Sequence, residues 1–284
     1  MAAGLIMSVA AISYASVLPL NAGWMTSLAC LIMIVVGLPH GALDIAAIRR
    51  VAPQAQFPVV AAYLTAAAAM FAVWWVSPLV GLGVFYLIAI AHFAHDWDEA
   101  GQPFLAHAIA LALLSAPALT HTLALQGLFV ALTGDPNAAL LVDALILVAP
   151  VAIGVTTVGL ATMGLSRQCV EGVCALIAMI TLPPVIGFAI FFCLFHSPRH
   201  FREGWAALGP DVQAGTWVRI VAMTFAGIGI ATLIFAVLGT PSMPVALFQT
   251  SMMTLSVLTV PHMLLASGLD YLRVRKISAV VSTI

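Results

Sequence analysis

The sequence predicts an all-α fold: a polytopic transmembrane helical bundle that crosses the bilayer about eight to ten times, with both termini cytoplasmic. Three observations predict it. The chain is 63% hydrophobic and only 7% charged, where a soluble domain carries about 25% charged residues. Its mean hydropathy is +1.17. Apolar runs near the roughly 20 residues that span a bilayer recur along its whole length. So few charges leave little material for an appended soluble module, and residues 1–284 read as one membrane domain. A net charge of −1 removes the electrostatic case for nucleic acid.

Residues 4–20 form the first expected span. They lack a basic flank, so a membrane helix fits better than a cleaved signal peptide. Asn21-Ala22-Gly23 turns into a second span over 25–48, which carries Pro39, His40 and Asp44 in its final third and ends at Arg49-Arg50. A third span covers 58–76. Ser77-Pro78 then turns into a fourth, 79–97, which closes in His92-Phe93-Ala94-His95-Asp96-Trp97. Residues 103–133 contain Pro117 and fit either one kinked helix or two short ones. The turn Gly134-Asp135-Pro136-Asn137 leads to a span over 138–164. A loop with Arg167 and Glu171 is expected before 172–203, which Pro183-Pro184 interrupts. A polar loop is expected from Arg202 to Arg219, and spans over 220–239 and 245–272 follow, the latter with Pro261-His262.

Counting crossings constrains the topology. If 103–133 and 172–203 each cross once, His196 lies on the opposite side from His40. Most basic residues then lie opposite Arg49 and Arg50, against the positive-inside tendency. One extra crossing, at Pro117 or at Pro183-Pro184, brings His40, His92, His196, His200 and His262 into one membrane half with nearly all the basic residues.

Eight histidines in so apolar a chain point to chemistry, because ionisable groups inside spans are rare and usually functional. His196 and His200 are four apart, share a helical face and suit one metal ion; the bland alternative is a pair of headgroup contacts. His40 is followed one turn later by Asp44, and His92 by Asp96. Each carboxylate is placed to orient an imidazole ligand as its second partner. His262 either ligates or lines the pocket beside the metal. His95, three residues from His92, is able to share its face as a second ligand but reads rather as an interfacial residue, and His107 and His121, which lack carboxylate partners, read as interfacial or helix-contact residues. The cysteines Cys30, Cys169, Cys174 and Cys193 read as packing residues. Three or four neutral imidazoles suit iron(II), zinc or copper better than magnesium or calcium.

At these residues the sequence resembles the Brp/Blh family of membrane-embedded bacterial and archaeal β-carotene 15,15′-dioxygenases. The resemblance rests on Gly37-Leu38-Pro39-His40-Gly41-Ala42-Leu43-Asp44, His92-Phe93-Ala94-His95-Asp96, His196-Ser197-Pro198-Arg199-His200 and Pro261-His262-Met263. Ala94 departs from it, standing where the family's second motif has glycine. The resemblance implies iron(II) held by His40, His92, His196 and His200, with His262 in or beside the catalytic site and Asp44 and Asp96 behind the ligands. It implies O₂ as co-substrate, central cleavage of β-carotene to two retinals, a prokaryotic cell-membrane location amid lipid, and a rhodopsin as receiver of the product.

Rival readings remain at this point. A di-iron membrane oxygenase or carotenoid hydroxylase would want more histidines at three- and four-residue spacings. A non-catalytic carotenoid or retinal carrier is a third reading, but no lysine lies inside a span for a Schiff base. A transporter would want deep carboxylates, for which Asp143 is the only expected candidate.

Overall fold

The computed structural model describes residues 23–43, 54, 56–164, 166–208, 214–238 and 242–281, and every regular element among them is helical. Helix α1 spans Gly23–Gly41, α2 Gln56–Val76 and α3 Pro78–Ala94. Helices α4 and α5 span Pro103–Thr120 and Thr122–Thr133. Helix α6 spans Ala139–Thr162 and α7 Arg167–Thr181. Helices α8, Pro184–Ile190, and α9, Ser197–Leu208, are joined by a π-helical turn, Phe191–His196. Helix α10 spans Ala214–Leu238 and α11 Met243–Val281.

Six segments among the described residues are long and apolar enough to cross a membrane: Phe57–Val76, Pro78–Trp97, Pro103–Thr120, Pro136–Thr162, Gly215–Leu238 and Met243–Leu265. Gly23–Gly37 and Thr122–Thr133 are shorter apolar helices. The expected span over 4–20 lies outside the described residues, as do Arg49 and Arg50.

Burial sorts these helices into a centre and a shell. Two thirds of α4 (67%) is buried, against 17% of α2. The buried face of α4 is largely alanine, Ala106, Ala110, Ala112, Ala116 and Ala118 among them. Small side chains let neighbouring helices approach closely where lipid offers no hydrophobic drive to associate. The shell presents Trp75, Leu87 and Leu147 outward, which is the stable arrangement when the solvent is hydrocarbon. A buried bond from Trp74 Nε1 to Ser256 Oγ, 2.9 Å, ties α2 to α11.

Both ambiguous regions are broken. The α4–α5 break falls at His121, whose φ of −131° and ψ of 37° leave the helical region. Pro117 stays inside α4, and its carbonyl accepts the His121 N–H at 2.8 Å. The second break falls at the double proline. Leu182 and Pro183 are extended, with ψ of 155° and 141°, because a residue before proline is pushed out of the helical region. Pro184 then opens α8, where a missing N–H costs nothing. A methyl at Gly187 would stand 2.8 Å from the Ala178 carbonyl oxygen, so glycine lets α8 fold back tightly on α7.

One expected loop is helical instead, and so are the described parts of another, of which residues 209–213 lie outside the described residues. Arg167 and Glu171 lie in the first turns of α7, whose start is capped by the Ser166 side chain accepting from the Cys169 N–H at 3.1 Å. The polar stretch after Arg202 continues as helix to Leu208, and helix resumes at Ala214 before Arg219. In both places charge at a helix end was taken for a loop.

Candidate metal centre

The site forms where three helix ends meet. Helix α3 delivers His92 in its last turn, 5% exposed. The chain then tightens into a 3₁₀ segment, His95–Ala100, which carries Asp96 into the interior at 1% exposure. Opposite, α8 enters through the π-helical turn and delivers His196, fully buried, and then His200 on the first turns of α9.

The π turn has a local cause. Pro198 has no N–H to return to the preceding turn, and its ring crowds the carbonyl four residues back. The Ser197 N–H bonds the Phe192 carbonyl, five residues back, and the widened turn absorbs the proline without ending the helix. The Ser197 hydroxyl donates to the Gly37 carbonyl at 3.4 Å, which pins this turn to α1.

Three imidazoles converge. One nitrogen from each of His92, His196 and His200 lies within 4.8 Å of the others, a group able to hold a metal ion. His92 Nε2 and His196 Nε2 are 3.1 Å apart. Asp96 spans the other side: His196 Nδ1 meets Oδ2 at 2.9 Å and His200 Nε2 meets Oδ1 at 3.0 Å. An ionised carboxylate only accepts, so His196 Nδ1 carries its proton and the Nε2 lone pair points toward His92. Two nitrogens each about 2.1 Å from one ion, at right angles, would stand about 3.0 Å apart, so this pair fits a shared ion. Phe192 stacks on His196 with centroids 5.4 Å apart, and Phe93 meets it edge-on at 4.8 Å. These rings keep water from that side.

A charged network backs Asp96. Arg199, buried between the two histidines, donates to the Asp96 backbone carbonyl and to the Glu171 carboxylate. Its guanidinium also lies over the Trp97 ring, 5.3 Å from the centroid. Gln168 Nε2 donates to the same Asp96 carbonyl at 3.2 Å, and Arg167 Nε holds Glu171 at 2.7 Å. Two carboxylates and two guanidiniums thus balance in charge, and this balance makes a buried ionic cluster tolerable.

The predicted residues divide clearly. His92, His196, His200 and Asp96 meet. Asp96, however, does not hold His92, the partner one turn away; it holds His196 and His200, about a hundred residues on. The His262 ring stands 5.3 Å from His92 and 6.4 Å from His200. It lines an adjoining cavity with Gly37 and Gly41 rather than joining the three-nitrogen group. Residue 40 sits at the end of α1, but its side chain, like all of Asp44, lies outside the described residues. His95 is exposed and its Nδ1 meets the Ala91 carbonyl at 2.9 Å, while His107 turns back to Pro103. His121 marks the α4–α5 break, away from the cluster. Asp143 is exposed and receives Gln126 at 3.2 Å; among the described residues the buried carboxylates are Asp96 and Glu171.

Sequence reading missed Arg199, Glu171 and Gln168 as parts of the site. The signal was present. Gln168, Glu171, Gly172 and Ala175 recur on one face of α7, and that face is buried. A polar buried face in so apolar a chain implies partners.

Comparison with known proteins gives one consistent result. The family model described as Beta-carotene 15,15'-dioxygenase matches residues 31–270. A protein named Beta-carotene 15,15'-dioxygenase, from an uncultured marine bacterium 66A03, is 31% identical over 259 residues, covering 82% of this chain and 90% of the relative. No solved structure matches.

Proposed function

The chain belongs to the beta-carotene 15,15′-dioxygenase family of enzymes, and from that premise we propose that it cleaves the central 15,15′ double bond of β-carotene with O₂ to give two retinals, at an iron(II) ion held by histidines within the membrane. The single observation that carries this reading is the gathering of His92, His196 and His200 in a largely apolar bundle. His40 is the proposed fourth ligand, and His262 stands beside the site.

The reaction balances without another reactant. One hydrocarbon double bond and one O₂ become two aldehydes, with no proton or reductant consumed. Held by these histidines, iron(II) would supply the redox chemistry for the reaction of O₂ with the alkene. The chain's residues do the rest. Asp96 fixes the tautomer and orientation of His196 and His200, as a carboxylate behind an imidazole ligand does. Arg199 and Gln168 hold the backbone that carries Asp96. The substrate has no polar group, so its binding comes from burial of apolar surface, at about 25 cal/mol per Å². The bond that is cleaved is then chosen by where the walls stop the polyene.

The reading takes the protein as multi-pass in the prokaryotic cell membrane with both termini cytoplasmic. The six long apolar segments support a multi-pass protein. Lipid supplies the dissolved substrate, and a retinal-binding rhodopsin is the proposed receiver of the product. The test is expression in cells that accumulate β-carotene. Bleaching with one retinal peak and one iron per chain is expected; unchanged colour with well-folded, iron-loaded protein would sink the reading.

A further inference from the structure

Two apolar cavities lie near the histidine cluster, each lined largely by its own set of helices. The first is lined by α3, α4, α5, α7, α8 and α11, with Leu82 and Ala89 of α3, Leu128 of α5 and Phe188 of α8 among its walls. Ala89 lies one turn before His92. The stretch from Leu82 to Ala89 covers about 10 Å at 1.5 Å per residue, so this cavity runs from the cluster toward the opposite membrane half. The second is lined by α1, α2, α10 and α11, with Gly37, Ala226 and His262 among its walls.

Both have walls that reach the cluster's neighbours. His262, in the wall of the second cavity, is 5.3 Å from His92. Phe188, in the wall of the first, stacks on Phe192 at 5.7 Å and 15°, and Phe192 stacks on His196. Phe192 also packs so closely on Gly37, a wall of the second cavity, that no side chain fits there without displacing its ring. One aromatic side chain therefore touches a wall of each cavity and one of the three clustered imidazoles. The α11 helix lines both, through Phe248 and Met252 on one side and Leu255 and His262 on the other.

We propose that the two cavities each receive one arm of the carotenoid, so that the central bond lies over the histidine cluster and Phe192 is the partition the polyene passes. This rests on the function proposed above and deepens it. Cleavage at the midpoint follows when each arm seats in its own cavity, one on either side of Phe192. The seating of the arms, rather than any contact with the reacting carbons, selects the bond.

The test fills each arm separately. Leu128→Trp narrows the first cavity from the short helix α5, and Ala226→Trp narrows the second from the exposed helix α10. Purified wild-type and variant enzymes are given β-carotene and an apocarotenal with one arm shortened. Each single variant is expected to lose about a hundredfold in kcat/KM on β-carotene, the scale of a misplaced reacting bond, yet still to cleave the apocarotenal by seating its short arm in the filled cavity. The double variant is expected to lose both substrates. Iron content and a single detergent-solubilised species verify folding; should Leu128→Trp fail that control, Leu128→Phe carries the same expectation at smaller size. Unchanged β-carotene cleavage in either folded single variant overturns the assignment, as does equal loss of both substrates. A wild-type enzyme that makes no retinal overturns the proposed function instead.

Discussion

Two stretches of this chain close an apolar helix with a pair of histidines, and the structure treats them differently. In the first, His92 turns inward and His95 outward. In the second, His196 and His200 both turn inward. Spacing alone does not separate the two pairs. Residues three apart on a helix differ by about 60° and residues four apart by about 40°, so either pair is able to share a face. The difference comes from what each turn meets. After Ala94 the chain tightens, and Asp96 takes the inward position because two imidazoles from the other stretch claim its oxygens. His95, beside it, is left facing out. The second stretch is held on both sides, by Ser197 on α1 and by Arg199 on the Glu171 of α7. The lesson is that neighbours select the face, and spacing only permits it.

Substitutions break this comparison in graded ways. The largest effect belongs to the inward pair: His196→Ala and His200→Ala are expected to abolish retinal formation and to release iron, read by metal analysis of folded protein. Wild-type activity in both would remove the second stretch from the site. Next comes the anchor. Glu171→Ala takes from buried Arg199 its close carboxylate partner and leaves it the Asp96 carbonyl and a 3.8 Å contact with Asp96 Oδ1. The cost stays below the ~3–5 kcal/mol of a fully broken buried pair and is expected as a lower midpoint in thermal unfolding in detergent. An unchanged midpoint would mean that the anchor contributes nothing net. Asp96→Asn keeps the shape but weakens the hold on two imidazoles, and iron affinity is expected to fall about 10–100-fold, measured by chelator competition. His95→Ala is the smallest, with stability within about 0.5 kcal/mol of the parent and unchanged iron content. A large loss there would erase the contrast between the two stretches.

Much of this was legible in advance. The apolar runs located the helices, because each span must satisfy its own backbone and so declares itself by composition. His92, His196 and His200 were legible as a set, since imidazoles in hydrocarbon are rare. The position of the α4–α5 break was not. Pro117 looked like the weak point, but a proline tolerated in a membrane helix defers the break by a turn, to His121. The roles of Arg199 and Glu171 were hidden for another reason. Read one at a time, each charge looked like a loop or a membrane-side marker. Their meaning lies in the pair, twenty-eight residues apart.

By itself, then, the sequence determined the membrane class, the apolar segments and the residue types able to bind a metal. These follow from local composition, which hydrocarbon solvent constrains residue by residue. Only the tertiary structure decided which rings meet, that Asp96 serves His196 and His200 instead of His92, and that two apolar cavities open near the cluster. Those contacts join residues about a hundred positions apart. No local period encodes such a meeting; it is set by how α3, α8 and α9 pack in the bundle.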